Sequence, residues 1–121
     1  DEAVEYAKVR QQFGKPIANL QAIQMIIADI AMQTEAARQL VYHTAELVDA
    51  KMPYSKYASM SKCMGGDIAM KVSIDALQVL GGFGYMKEYP LEKLVRDAKI
   101  LQIYEGTNQI QRMIIAGEVL R

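Results

Sequence analysis

Hydrophobic and small residues recur at steps of three and four between residues 18 and 51. This spacing places them on one face of a helix, so it predicts a single long amphipathic helix that Pro53 ends. No stretch of useful length shows the alternation of apolar and polar residues that is typical of a β-strand. The predicted apolar face consists of Leu20, Ile23, Ile27, Ile30, Thr34, Ala37, Val41, Ala45 and Val48.

Proline and glycine residues divide the rest of the chain into four further predicted helices. We expect Gly14 to cap the first of them and Pro16 to prevent its continuation. The pattern predicts an all-α domain over residues 1–121, arranged as an antiparallel up-down four-helix bundle. The first helix is much shorter than its partners, which indicates a piece of a larger structure. The four helices run from Asp1 to about Gln12, from Tyr54–Ser55 to Gly81, from about Pro90 to Gln102 and from about Asn108 to Arg121.

Two of these helices have a face of small or apolar residues that predicts close packing. On the third helix the face consists of Gly65, Ala69, Val72, Ala76 and Val79. On the last helix the predicted inner side consists of Ile110, Ile114 and Gly117.

Composition excludes several classes of protein and site. Hydrophobic residues make up 51% and charged residues 23% of the chain, which is enough apolar material for a packed core. The 14 basic and 14 acidic residues leave no net charge, which argues against a nucleic-acid partner. With one cysteine, Cys63, and one histidine, His43, the chain has neither an internal disulfide nor a Cys-rich or multi-histidine metal site. We expect Cys63 to be buried and His43 to be structural and partly exposed. No apolar run reaches the roughly 20 residues of a membrane-spanning helix.

The segment from Ile103 to Gln109 contains the best candidate for chemistry, the carboxylate of Glu105. Apolar and aromatic residues precede Glu105, and we expect them to desolvate the carboxylate and so strengthen it as a base. The helix N-terminus just after Glu105 stabilises the charged carboxylate and so weakens it as a base. Asn108 and Gln111 have the spacing of a helix N-cap and its reciprocal partner. Gly106 allows a ligand to approach the backbone closely. The alternative interpretation is an ordinary acidic residue near a helix start.

The glycines from Gly81 to Gly84 admit two interpretations. The segment fails the dinucleotide-binding fingerprint, because Lys87 occupies the place of the third glycine and no strand precedes it. A turn that ends a helix accounts for these glycines, and so does a close approach of the backbone to a ligand.

Four segments resemble, in the same order, the C-terminal helical domain of the flavin-dependent acyl-CoA dehydrogenases. They are Arg10–Pro16, Gln78–Tyr85, Glu88–Lys99 and Ile103–Arg112, and together they extend over almost the whole chain. The resemblance implies an up-down four-helix bundle at the core of a homotetramer. In such enzymes an N-terminal helical domain and a central β-domain precede the bundle, and neither is present in these 121 residues.

The resemblance also implies a role for individual residues. Glu105 is similar to the general base that removes the α-proton of an acyl thioester while the β-hydrogen leaves as hydride to FAD. In this family the backbone N–H of the base and a flavin ribityl hydroxyl hydrogen-bond the thioester oxygen. Tyr104 and Gly106 match positions that contact the substrate, and Arg10 resembles the arginine that pairs with the flavin pyrophosphate. The block from Gln78 to Gly82 resembles the stretch that contacts the adenosine end of FAD across a subunit boundary. The further positions that match FAD-binding residues of the family are Phe13, Gln21, Gln78, Val79, Leu80, Gly81, Gly82, Thr107, Asn108 and Gln109.

Two hypotheses for function follow. In the first, the protein desaturates an acyl-CoA between its α and β carbons, as in fatty-acid β-oxidation, and passes electrons to an electron-transfer flavoprotein. A glutamate at position 105 favours the short- to medium-chain or short-branched members, because some other branches take the base from an earlier helix. In the second hypothesis, the isolated chain is an inert helical oligomerisation module without flavin. The resemblance implies a bacterial cytoplasm, with the mitochondrial matrix as the alternative.

Overall fold

The computed structural model describes all 121 residues, and most of them lie in five α-helices. This confirms the predicted helical class. No helix combines the length and the apolar character that crossing a membrane requires. The helices are α1 (Glu2–Val9), α2 (Gln21–Asp49), α3 (Ser55–Leu80), α4 (Leu91–Ile100) and α5 (Asn108–Val119), and a hairpin of β1 (Gln11–Gln12) and β2 (Lys15–Pro16) separates α1 from α2.

The hairpin corrects the predicted end of the first helix. Helix α1 ends at Val9, and the antiparallel strands β1 and β2 pair Gln12 with Lys15. Both residues of the intervening turn, Phe13 and Gly14, have positive φ, at 55° and 75°. Two consecutive residues with positive φ are what a two-residue hairpin turn requires. Gly14 therefore serves this turn, and the predicted role as a helix cap was wrong.

Helices α2 and α3 end where the sequence predicts, within two residues, and the structure shows why. After α2 the Lys51 residue adopts a φ of 55°, and the Met52 N–H donates to the carbonyl of Leu47 at 2.9 Å. This satisfies a carbonyl that would otherwise be unpaired at the helix end, before Pro53. Helix α3 ends at Leu80, and the next residue, Gly81, has a φ of 60° that is unfavourable for residues other than glycine.

Helix α3 is the central element, because each of the other four helices packs against it. Helix α2 has only marginal contact with α4 and α5. A groove of about 890 Å³ lies between α1, α2, α3 and α4, lined by residues of α2 such as Ile30 and of α4 such as Leu94. The closed four-helix bundle therefore stays a prediction, and the chain alone forms a set of helices around α3.

Close packing on α3 occurs at Gly66, one position beyond the predicted face. A methyl group added at Gly66 would lie 3.0 Å from the carbonyl oxygen of Leu101 and 3.3 Å from the side-chain nitrogen of Asn108. The same addition at Gly65 would meet nothing within 4 Å. The small residue at 66 thus lets the loop between α4 and α5 lie directly on α3.

The contact face of α5 also differs from the prediction. Ile110 and Ile114 are 48% and 39% exposed, whereas the polar residues Asn108 and Gln111 are buried. The prediction was wrong because it assigned the inner side by hydrophobicity, while α5 begins on α3 through hydrogen-bonded polar side chains. Large apolar residues of α5, such as Met113 and Leu120, remain exposed in this chain.

The contact at Gly66 predicts a difference between two neighbouring glycine substitutions. Gly66→Ala should lower the free energy of unfolding by about 1 kcal/mol or more, because steric crowding against backbone outweighs the gain in helix propensity. Gly65→Ala is the matched control and should be neutral or stabilising by up to about 1 kcal/mol. Thermal and urea unfolding followed by circular dichroism measure both. Equal stability of the two variants would contradict the proposed close contact.

Candidate active site

The loop between α4 and α5 carries Glu105 in an unusual backbone conformation. Glu105 has a φ of 52° and Gly106 a φ of 86°. A residue other than glycine costs about 1 kcal/mol or more in this region, and such residues concentrate at functional sites. The positive φ at Glu105 therefore supports its selection as the candidate catalytic residue.

Gln111 of α5 fixes the peptide group that follows Glu105. The buried side chain of Gln111 donates from Nε2 to the Glu105 carbonyl oxygen at 3.2 Å. A methyl group on Gly106 would lie 2.7 Å from the same Nε2 atom. Position 106 therefore has two reasons for being glycine, its positive φ and the proximity of Gln111.

The cap of α5 is Thr107, and the predicted capping box was wrong. The Thr107 hydroxyl accepts a hydrogen bond from the Ile110 N–H at 3.3 Å. Asn108 is already helical and buried, with both amide hydrogens used inside the chain, by the Cys63 carbonyl at 3.0 Å and by Asp67 at 2.8 Å. The Asn108 side chain therefore holds α5 onto α3. Its role in cofactor binding stays a prediction.

Asp67 of α3 accepts three hydrogen bonds from residues on either side of the loop. Its Oδ1 accepts from the side-chain amides of Gln102 at 2.7 Å and Asn108 at 2.8 Å, and its Oδ2 accepts from Arg112 at 2.5 Å. Partial burial opposes ionisation, but the donors at Arg112, Asn108 and Gln102 together lower the pKa of Asp67 below its usual value. Asp67 is therefore a carboxylate at neutral pH, and folding stability that depends on this charge is lost as pH falls through the lowered pKa.

The Glu105 side chain is exposed in this chain, as are the neighbouring Ile103 and Tyr104, at 50% and 47%. The apolar residues that precede Glu105 therefore do not desolvate its carboxylate in this chain, contrary to the expectation. The backbone N–H of Glu105 donates to no group within the chain. The same loop residue thus carries an exposed carboxylate and an N–H without a partner in the chain.

A second candidate region is a groove of about 540 Å³ at the end of α3. The half-buried Arg10 lies there with its guanidinium carbon 5.1 Å from the centre of the Phe83 ring. The glycines Gly81 and Gly82 leave open space where other residues would carry a side chain. Predicted cofactor residues that line this groove are Arg10, Phe13, Val79, Leu80, Gly81 and Gly82.

The remaining predicted residues lie outside this groove. Gln21 and Gln78 are exposed next to it, and Gln109 is exposed on α5. Val79 and Leu80 are also core residues, 4% and 3% exposed.

The groove and the Glu105 loop lie at different levels of α3. The loop is tied to Asp67 and the groove is lined by Leu80, which at 1.5 Å per residue puts the two regions about 20 Å apart along the helix. The structure therefore brings the predicted site residues into two groups rather than one.

The residues that sequence reasoning missed are those that support the site. Asp67 and Gln102 lie 35 residues apart, so no periodic signal connects them, and Gln111 was assigned to a capping box instead of the Glu105 carbonyl. Phe83 stacks edge-on against Tyr89 with ring centres 6.0 Å apart, and its aromatic character beside the glycines was the one available signal. The expectations for the two singular residues hold: Cys63 is buried, and His43 lies exposed against the Tyr57 ring.

Gly106→Ala should lower the free energy of unfolding by about 1 kcal/mol more than Gly14→Ala. Both changes introduce backbone strain at positive φ, but only the first also displaces Gln111 and its hydrogen bond. Urea unfolding measures the difference. Equal losses would show that Gln111 does not hold the loop.

Comparison with known proteins places the chain in a family. Residues 1–120 match the family model described as acyl-CoA dehydrogenase, C-terminal domain. An acyl-CoA dehydrogenase of Bacillus subtilis is 54% identical over 120 residues, which are 99% of this chain and 32% of that protein. A subunit of the caffeyl-CoA reductase–Etf complex of Acetobacterium woodii is 49% identical over 121 residues, which are 100% of this chain and 32% of that protein. The structure of butyryl-CoA dehydrogenase from Megasphaera elsdenii has a TM-score of 0.97 and 48% identity, over 99% of this chain and 31% of that chain.

The chain thus spans about a third of the length of these relatives. The match covers the Glu105 loop and the Arg10 groove together, and it confirms the resemblance on which their roles were predicted. This chain belongs to the acyl-CoA dehydrogenase family and corresponds to its C-terminal domain.

Proposed function

We propose that the protein containing this chain is an FAD-dependent acyl-CoA dehydrogenase that acts on a short- or medium-chain or short-branched acyl-CoA. The observation that carries the proposal is Glu105, held at positive φ in a loop fixed by Gln111, with its backbone N–H free. The family match at this loop gives that geometry its chemical meaning.

Glu105 acts as the general base in this proposal. Its carboxylate removes the weakly acidic α-proton of the acyl thioester, and negative charge develops on the thioester oxygen. The free N–H of the same residue is a donor for that oxygen, which stabilises the charge without reorganisation because the loop is already fixed. Since Glu105 is exposed here, the cover that desolvates it must come from substrate, cofactor or other parts of the protein.

The Arg10 groove fits part of an FAD molecule. Its apolar and aromatic lining suits a flat ring system, and the guanidinium suits a phosphate group. Gly81 and Gly82 leave room for a ligand against the backbone, and Thr107 and Gln109 lie beside the base at the start of α5. When bound, FAD supplies the acceptor for the β-hydrogen as hydride. The groove lies about 20 Å from the loop along α3. The family resemblance assigns Gln78–Gly82 to the adenosine end of an FAD bound across a subunit boundary.

Partners and location are parts of the same proposal. We assign a homotetramer and an acyl-CoA substrate from the family resemblance, an electron-transfer flavoprotein with support from the Etf complex of the Acetobacterium protein, and a bacterial cytoplasm because the relatives described above are bacterial. The Acetobacterium protein belongs to a complex named as a reductase. In that direction the same Glu105, protonated, would deliver the α-proton to an enoyl-CoA.

Glu105→Gln in the full-length protein should leave FAD bound and lower the rate of flavin reduction by acyl-CoA by at least about a thousandfold, since the amide cannot accept the α-proton. Glu46→Gln, an exposed glutamate of α2 without a polar partner, is the control and should have no effect. Stopped-flow absorbance of the flavin measures the rate. Near-normal reduction in Glu105→Gln would defeat the assignment of the base.

Arg10→Gln should weaken FAD binding about tenfold to a hundredfold, because one hydrogen-bonded cation–phosphate contact is lost. Lys8→Gln removes the same charge two residues away on an exposed face of α1, and should leave binding unchanged. Titration of the deflavinated protein with FAD measures both affinities. An equal effect of the two substitutions would indicate general electrostatics rather than a phosphate site.

The alternative function is an inert assembly module. Exposed apolar residues favour it, since Met113 and Leu120 of α5 and Met25 of α2 are 69%, 85% and 63% exposed, as in surfaces that pack against other chains. The visible spectrum of the purified 121-residue chain tests this alternative. Stoichiometric flavin absorbance would defeat the inert module, whereas a chain without flavin and without turnover is what the module predicts.

A further inference from the structure

The loop that carries Glu105 is closed at its base by the residues on either side of it. The Asn108 N–H donates to the Gln102 carbonyl at 3.0 Å, so the five residues between them form a closed loop. Within it, backbone hydrogen bonds reach back to Ile100 of α4 and forward from Thr107 to Gln111 of α5. Nothing in this backbone pattern attaches the loop to α3.

Asp67 supplies that attachment. The side-chain amides of Gln102 and Asn108, at the two ends of the loop, both donate to the same oxygen, Oδ1 of Asp67, at 2.7 and 2.8 Å. Lys62, one turn earlier on α3, donates to the Asn108 amide oxygen at 2.8 Å and fixes which way that amide faces. Asn108 is also tied to α3 through the Cys63 carbonyl at 3.0 Å, whereas Gln102, at the other end of the loop, is tied to α3 through Asp67.

The other oxygen of Asp67 contributes less to the loop. It pairs with Arg112, whose side chain is 57% exposed, and pairs of this kind add little because water competes for both partners. The two amide donors lie in part-buried hydrogen bonds, where an unpaired polar group is costly. Loss of the carboxylate would leave both amides of the loop base without their shared acceptor.

We propose that Asp67 is a positioning residue for catalysis, which sets the place of Glu105 by holding both ends of its loop on α3. Asp67 is not itself a catalytic residue, because it contacts the loop base and not Glu105. This inference rests on the proposed function of Glu105 as the base. It goes beyond that function because it says that the position of Glu105 is determined by a residue of α3, which is remote from Glu105 in sequence.

The test uses the full-length holoenzyme with butyryl-CoA and butyryl-CoA deuterated at the α-carbon. Asp67→Ala should retain bound FAD and lower the rate of flavin reduction about tenfold or more, as expected for the loss of hydrogen bonds to a charged acceptor. Because a misplaced base makes proton removal slower, the α-deuterium isotope effect on flavin reduction should increase. Asp75→Ala, on the same helix and in an exposed ion pair with Lys71, is the matched control and should change neither quantity.

Gln102→Met is the second variant, since it removes one donor to Asp67 from the loop side and preserves side-chain size. It should show the same increase in isotope effect, and its effect in the Asp67→Ala background should be smaller than in the wild type. An unchanged rate and isotope effect in Asp67→Ala would overturn the positioning role while leaving Glu105 as the base. Loss of FAD or of the folded state in both variants would also overturn it, because Asp67 would then be purely structural. If instead Glu105→Gln reduces flavin normally, it is the proposed function that fails.

Discussion

The carboxylate of Asp67 is the point at which helices α3, α4 and α5 are joined at the candidate site. It accepts hydrogen bonds from Gln102 after α4 and from Asn108 and Arg112 of α5. Gly66 allows this arrangement, because a methyl group there would lie 3.0 Å from the Leu101 carbonyl oxygen and 3.3 Å from the Asn108 side-chain amide nitrogen. The close approach makes the polar contacts possible, and the polar contacts make the close approach stable, since a buried amide without a partner would be unfavourable.

The same arrangement explains why the chain by itself presents an incomplete site. Hydrogen bonds fix the base of the loop, while the Glu105 side chain is exposed and its backbone N–H has no partner in the chain. A carboxylate in open water is a weak base for a carbon acid, so the chemistry requires that other surfaces enclose it. The Arg10 groove is open in the same way and lies about 20 Å away along α3. In the proposed enzyme this domain therefore contributes the Glu105 loop and the Arg10 groove, and the remaining walls of the site come from other domains or subunits.

Sequence reasoning succeeded where a single physical signal dominates. The 29 residues of α2 repeat an apolar face over many turns, and Pro53 and Gly81 mark helix ends through their own backbone preferences. It failed where two signals compete. Gly14 suits a helix cap and a hairpin turn equally well, and only the pairing of Gln12 with Lys15 decides between them. The face of α5 was misassigned because Asn108 and Gln111 are buried through hydrogen bonds that hydrophobicity does not register. Family resemblance selected Glu105, but the contacts of Asp67 span 35 to 45 residues and have no local pattern.

Two pairs of consecutive residues in the chain have positive φ, and different interactions hold each pair in this conformation. Phe13–Gly14 and Glu105–Gly106 have nearly the same φ values. The first pair connects two strands, and the pairing of those strands holds its conformation. The second pair connects no strands; the backbone hydrogen bond across it joins the Asn108 N–H to the Gln102 carbonyl at the loop base, and side chains from other elements add to it, Gln111 directly and Asp67 through the loop base. The position of Glu105 therefore depends on how α3 and α5 pack as well as on the positive φ of Gly106. In the proposed enzyme this leaves the exposed side chains of the loop available for contact with the substrate.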